Sequence, residues 1–564
     1  PRPMRTAIVT GAASGIGEAI AQDLARWGWR VYGFDLRPAD RTLVTSDLAG
    51  FSGSVEPVTV DVVDRAAVQA AVAAVLAASG GTVDAVVANA GVRSAGAFEQ
   101  TPMAEVRRMT AVNLTGAMNV VRSSLPGLRA AGSGRVVAVS AIEGLAAVPG
   151  SAAYGATKWA LEGWAESLAH ELRPHGMGVS IVEPSPTRTS LRHGDASGDP
   201  DGPYAALVQG VEATDDRAWG RSLDPNTVSA TVVAAVEGRR GLRHPVGMSA
   251  RARFLVRGKF PSSLERRLVG RLSHFDPPRP SPRDPEGVVM VTGCSSGIGL
   301  LTAVELARRG RRVAATMRDP SRRDALDAAL AEAEVADRVE VLAMDVTDPA
   351  SIDEAFARAD SWVRVAGDVG RIVGLVNNAG VLAVGPCEEV PPAAVDRMVD
   401  VNLVGAMAVT HAALPRMRAY GGRIAFVSSA AAFGGLPGWS GYTATKWGME
   451  GFAESLAHEV GPHGIDVAIV EPSVHRTPMV DAAAWQGRPD GPYSELGAAM
   501  EAAADRMVAR AGDPLAVART VAATFDGGRP VLRRPVGRAA WLRWTARGWV
   551  PFGVQRRLVA RVLA

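Results

Sequence analysis

Thr6-Ala-Ile-Val-Thr10 runs directly into Gly-Ala-Ala-Ser-Gly-Ile-Gly17, and the arrangement returns as Val288-Val-Met-Val-Thr292 followed by Gly-Cys-Ser-Ser-Gly-Ile-Gly299. A β-branched run, a glycine-rich turn and then a stretch of helical period predict a strand, a tight loop and a helix N-terminus. The missing side chains at Gly11, Gly15 and Gly17, and at Gly293, Gly297 and Gly299, let the backbone approach a pyrophosphate. Its charge is then held at the helix N-terminus, beside Ser14 and Ile16 in one copy and Ser295, Ser296 and Ile298 in the other.

The repeat extends outward from these loops. ANAG from Ala88 returns as NNAG from Asn377, YGATKWALEGWAESLAHEL from Tyr154 as YTATKWGMEGFAESLAHEV from Tyr442, and DGPY from Asp201 again from Asp490. A chain of 564 residues exceeds what one core organises. We therefore expect two domains, 1–275 and 287–564, joined by the proline-rich and charged linker 276–286. Within each half, short β-branched runs alternate with Ala/Leu/Arg stretches: strand 6–10, helix 18–27 and strand 30–35 in the first, and strand 288–292, helix 301–309 and strand 312–317 in the second. The fold class this predicts is α/β, two tandem Rossmann-type doubly wound parallel-sheet domains.

Composition narrows the function. A net charge of +3 on this length gives no case for nucleic acid. The two cysteines, Cys294 and Cys387, are too few for a disulfide framework or a metal site, which suits a reducing cytoplasm. No long apolar core precedes the first motif, and no uninterrupted apolar run approaches the length of a membrane span, so we expect neither a signal peptide nor a spanning helix.

The order TGxxxGxG, NAG, YxxxK resembles the short-chain dehydrogenase/reductases over nearly all of both halves. The resemblance implies that Asn89 with Gly91, and Asn378 with Gly380, hold the central sheet and line a nicotinamide cofactor cleft. It places Asp61 and Val62, and Asp345 and Val346, against the adenine. At the end of the second strand an acid suits an adenosine ribose and a base suits a 2′-phosphate. Asp35 occupies that position in the first half and Met317 followed by Arg318 in the second, so the first half is expected to take NAD and the second NADP. The TGCSSGIG loop and ATMRD resemble NADP-using hydroxysteroid and retinol dehydrogenases, with Ser295 and Arg318 facing the phosphate.

Tyr442 and Lys446 stand four apart on a helix and share a face, so an ammonium lies beside a phenol and is expected to favour the phenolate. The resemblance makes this tyrosine the proton-exchanging group, with Ser429 orienting the substrate oxygen and Asn402 steadying the lysine through water. The first half keeps Asn113, Tyr154 and Lys158, but the position matching Ser429 is Ala141. Ser140, one residue early, is expected to point to the opposite face. Loss of one preorganised donor costs on the order of 10²- to 10³-fold in rate, so the second half is expected to carry most turnover.

EPSPTRT from Glu183 and EPSVHRT from Glu471 open long segments resembling the family's substrate loop, which implies a hydrophobic secondary alcohol or ketone as substrate. Each half ends in a basic and apolar tail, from His244 and from Arg534, expected to be amphipathic helices that pack over the cleft; a membrane-surface role for the second, through Trp541, Trp544, Trp549 and Phe552 with Arg538, Arg543 and Arg547, is the less favoured reading. The resemblance further implies an intramolecular pseudo-dimer through the helices carrying YxxxK. Three functions are compatible with these features: an NADP-dependent oxidoreductase centred on the second half, a two-step stereoinversion using both halves, and a non-catalytic nicotinamide sensor, which the complete set Asn402, Ser429, Tyr442 and Lys446 disfavours.

Overall fold

The computed structural model describes residues 4–37, 52–193, 196–199, 201–238, 241–257, 259, 287–365, 371–528, 531–546, 549–550, 553–555 and 557–558. The expected linker 276–286 lies outside them, as does Phe552.

Strands β1 (Thr6–Thr10), β2 (Arg30–Asp35), β3 (Ser54–Thr59), β4 (Ala85–Ala88), β5 (Arg135–Val139), β6 (Gly178–Pro184) and β7 (Arg243–Val246) form one sheet in the order β3-β2-β1-β4-β5-β6-β7. The second half repeats this with β8 (Val288–Thr292), β9 (Arg312–Met317), β10 (Val339–Ala343), β11 (Ile372–Asn377), β12 (Gly422–Val427), β13 (Ile465–Pro472) and β14 (Arg533–Val536), ordered β10-β9-β8-β11-β12-β13-β14. Every pairing is parallel. Helices cover both faces, so β1, β4, β11 and β12 are buried along their whole length and are built from apolar runs rather than alternating ones. The strand order reverses between β1 and β4, and between β8 and β11. A crevice opens there beyond the carboxyl ends of the strands.

Three expectations need correction. The helices after the glycine loops begin at Gly15 and Gly297, not at residues 18 and 301, because Ser14 and Ser296 are already extended N-cap residues and the loop enters the helix directly. The tails do not begin as helices: residues from Arg243 and Arg533 first add the seventh strand to each sheet, and the helices Met248–Val256 and Arg538–Ala546 follow. Finally, residues 392–418 form one helix of 27 residues that contains an 18-residue stretch of mean hydropathy 1.2, long and apolar enough to cross a bilayer by length and composition. Counting uninterrupted apolar runs missed it, since Asp396, Arg397 and Asp400 interrupt it; 78% of its apolar stretch is buried inside the protein.

The halves pack through the Ala152–Leu172 and Ser440–Glu459 helices, the two that carry YxxxK. Glycine makes the crossing close. A Cβ at Gly163 would lie 2.6 Å from Trp447 Cγ, and one at Gly451 would lie 2.4 Å from Trp159 Cγ. Around this crossing the contacts obey a pseudo-twofold. Arg129 pairs with Glu388, which also accepts from the Tyr493 hydroxyl, while Arg418 pairs with Glu99, which accepts from Tyr204. One hydrophobic cluster contains residues of both halves, including Leu161, Trp164, Phe98, Phe452 and Phe426.

Candidate active sites

In the second half, Ser429 caps the turn after β12 and its Oγ accepts the Ala431 N–H at 3.1 Å. Tyr442 and Lys446 lie in the first two turns of the Ser440–Glu459 helix. Lys446 Nζ donates to Val427 O at 2.9 Å and stands 5.7 Å from the Tyr442 ring centroid. Asn402 belongs to a π-helical turn, Val399–Gly405, inside the long helix. Such turns displace one residue from the helical ladder. The released side chain accepts Val381 N at 2.7 Å and donates to Val381 O at 2.9 Å and Thr445 Oγ1 at 3.2 Å. It therefore ties the loop after β11 to the helix bearing Tyr442.

The pocket does not lower the phenol as the sequence suggested. Burial pushes Tyr442 up to about 12, with the Ser429 hydroxyl drawing it back, and burial pushes Lys446 down to about 8. Desolvation penalises the charged form of both groups and outweighs the Ser429 hydrogen bond at the phenol and the Glu450 carboxylate at the ammonium.

The first half reproduces the frame. Asn113, also in a π-helical turn, accepts Val92 N at 2.8 Å and donates to Val92 O and Thr157 Oγ1, both at 2.9 Å; Lys158 Nζ donates to Val139 O at 3.1 Å. Ala141 is buried where Ser429 stands. Ser140 Oγ donates to Glu162 at 2.8 Å, as Ser428 does to Glu450 at 2.6 Å. Ser140 is thus the counterpart of Ser428, committed to a buried cluster in which Arg243 joins Glu162, Glu166 and Glu183.

A cleft of about 1010 Å³ runs along the first half from Gly11, Ser14, Gly15 and Ile16, past Asp35, Asp61 and Val62, to Asn89, Gly91, Tyr154 and Lys158. The glycine loops leave no room for side chains: a Cβ at Gly17 would lie 2.0 Å from Gly11 O and, in the second half, one at Gly299 2.2 Å from Gly293 O. Asn89 Nδ2 donates to Thr10 O and Asn378 Nδ2 to Thr292 O, each at 2.9 Å, joining the strands that flank each crevice. At Gly91 a Cβ would meet Asn113 Oδ1 at 3.4 Å and Lys158 Nζ at 3.6 Å; at Gly380 it would meet Asn402 Oδ1 at 3.4 Å. The loop, crevice and lysine together fit an extended dinucleotide.

At the end of the second strand the halves differ. Asp35 accepts the N–H groups of Ala13 and Arg37, each at 3.0 Å, and Arg37 donates to Ser14 Oγ at 2.9 Å. In the second half Met317 is buried, Arg318 exposed and Ser295 half-buried, and Gly297 and Ile298 open the helix. Burial raises Asp345, but the Thr347 N–H and hydroxyl, and Arg318, hold it below the usual carboxylate range, so Arg318 and Asp345 share one corner; Val346 packs against Gly405. Sequence reasoning missed Arg37, Arg93, Glu143 and Asp215, all of which line the first cleft. Only Arg37 was visible to a motif search, two residues past Asp35.

The short chain dehydrogenase family matches residues 5–199 and 287–486, well over half of the chain. The uncharacterized oxidoreductase YusZ of Bacillus subtilis (strain 168) is 38% identical over 191 residues, which cover 34% of this chain and 65% of that protein. Retinol dehydrogenase 5 of Homo sapiens is 37% identical over 198 residues, 34% of this chain and 58% of that protein. Each match thus spans less than two thirds of the relative's own length. The solved N-domain of bacterial malonyl-CoA reductase with NADP superposes on 95% of this chain and 98% of its own with a TM-score of 0.64 at 17% identity, so the fold of both halves together is shared.

Proposed function

The chain belongs to the short chain dehydrogenase family, and on that premise we propose that it is an oxidoreductase interconverting a hydrophobic secondary alcohol and its ketone, mainly in the second half. The observation that carries this is the Ser429 hydroxyl hydrogen-bonded to the Tyr442 phenol, with buried Lys446 one helical turn on and Asn402 bracing the Tyr442 helix. Bound nicotinamide would supply the hydride acceptor or donor. Tyr442 moves the proton at the substrate oxygen, Ser429 aims that oxygen, and Lys446, anchored on Val427 O, places a cation beside the phenol. Leu382, Leu436, Ala431 and Trp439 pack around Tyr442 and suit an apolar substrate. We assign NADP to the second half through Arg318 and Ser295, and NAD to the first through Asp35.

A second reading is supported by the placement of Asn113, Tyr154 and Lys158, which matches that of their counterparts: the first half oxidises an alcohol with NAD and the second reduces the ketone, inverting a stereocentre. Steady-state assays of the full chain with NADPH and hydrophobic ketones test the main reading. Tyr442→Phe should lower turnover by about 10²-fold or more with cofactor affinity preserved; turnover that survives Tyr442→Phe and falls with Tyr154→Phe would move the chemistry to the first half.

A further inference from the structure

The two clefts share a catalytic frame and differ in the groups around it. Beside Tyr442 the second half has Leu382 and Ala431, both packed into an apolar cluster with that tyrosine. The positions matching Leu382, Ala431 and Ala504 in the first half are Arg93, Glu143 and Asp215, and all three line the cleft together with Tyr154.

Arg93 follows the NAG turn, and Asp215 belongs to the Ala205–Gly220 helix of the substrate segment. Arg93 Nη1 and Nη2 grip the two Asp215 oxygens at 3.0 and 3.2 Å, while its buried Nε has no partner among the described residues. Burial pulls the guanidinium down, yet the Asp215 and Glu143 carboxylates outweigh it and keep Arg93 charged. Tyr154 feels both groups: burial raises its phenol, Glu143 raises it further and Arg93 lowers it. A guanidinium that lines the cleft beside the reacting phenol, charged and with one buried N–H still unpaired, is arranged to receive an oxygen-rich anionic group once Asp215 shares it.

We propose that the first half binds a substrate of a different class from the second: a hydroxy or oxo acid, whose carboxylate is recognised by Arg93. Asp215 holds the guanidinium in place and closes the substrate helix over it, so Arg93 is the residue that sets specificity. The inference concerns the first cleft alone and does not depend on which half carries most turnover.

The test is calorimetric binding of levulinate and of its methyl ester, a pair differing by one charge, to the full chain with NAD, the oxidised cofactor, so that neither half can reduce the probe. Levulinate should bind about tenfold or more tightly than the ester, Arg93→Leu should abolish the difference and Arg93→Lys should keep part of it. Asp215→Asn, which frees the guanidinium from its internal partner, should tighten levulinate binding and serves also if Arg93→Leu fails to fold. Equal affinity for the two probes, no levulinate binding, a preference unchanged by Arg93→Leu, or no tightening with Asp215→Asn overturns the proposal.

Discussion

The Glu459 carboxylate, at the end of the second half's YxxxK helix, accepts the backbone N–H of Gly150 at 3.0 Å, four residues ahead of Tyr154 in the first half. It also accepts Phe98 N–H at 2.8 Å, and Glu171 returns the arrangement by accepting Cys387 and Gly438 N–H at 2.7 and 3.0 Å. Each half thus holds the loop leading into the other's catalytic helix. Glu459→Ala leaves two buried amides unpaired, at roughly 1–3 kcal/mol each. We expect reduced stability in urea and weaker NAD binding by the first half, checked by denaturation and by cofactor titration.

The same carboxylates set a pH dependence. Burial raises Glu459 from 4.5 to about 8 and Glu171 from 4.5 to about 7, despite their N–H donors. The folded chain then holds more protons than the unfolded one across that interval, so the contribution is full at low pH and is lost as pH rises through the folded values. The thermal midpoint should fall between about pH 5 and 8 on this account, and Glu459→Gln should flatten the decline; an unchanged slope refutes it.

Ser429 and Ser140 should fail differently. Ser429→Ala is expected to lower second-half turnover by about 10²- to 10³-fold with little change in stability. Ser140→Ala removes a donor from the buried Glu162 and should cost about 1 kcal/mol or more without altering second-half kinetics. Parallel assays and urea melts separate the two.

Gly163→Ala would ordinarily stabilise a helix by up to about 1 kcal/mol. Here the new Cβ falls 2.6 Å from Trp447 Cγ, so overpacking of about 1–3 kcal/mol should win. A lower thermal midpoint is expected, and a higher one would show that the crossing can relax.

Arg318→Ala should weaken NADP binding by about tenfold or more while leaving NAD binding nearly unchanged, read by fluorescence titration. Arg37→Ala, beside Asp35 and Ser14, should leave any NAD site intact. Equal losses for both cofactors with Arg318→Ala would remove the phosphate role.

Both parallel sheets, the glycine loops after their first strands and the tandem repeat were legible in the chain, because loop chemistry and hydrophobic period are local properties. Gly11 and Gly293 need a positive φ, Tyr442 and Lys446 share a face by helical geometry, and the one-residue offset of Ser140 from Ala141 turns a hydroxyl away; each follows from a few adjacent residues. What only the tertiary structure decided depends on separation in sequence and on burial. Arg93 and Asp215 meet across a cleft, Glu459 reaches Gly150 across the interface, and the Tyr442 phenol rises instead of falling because its desolvation, which no spacing encodes, outweighs the hydrogen bond with Ser429.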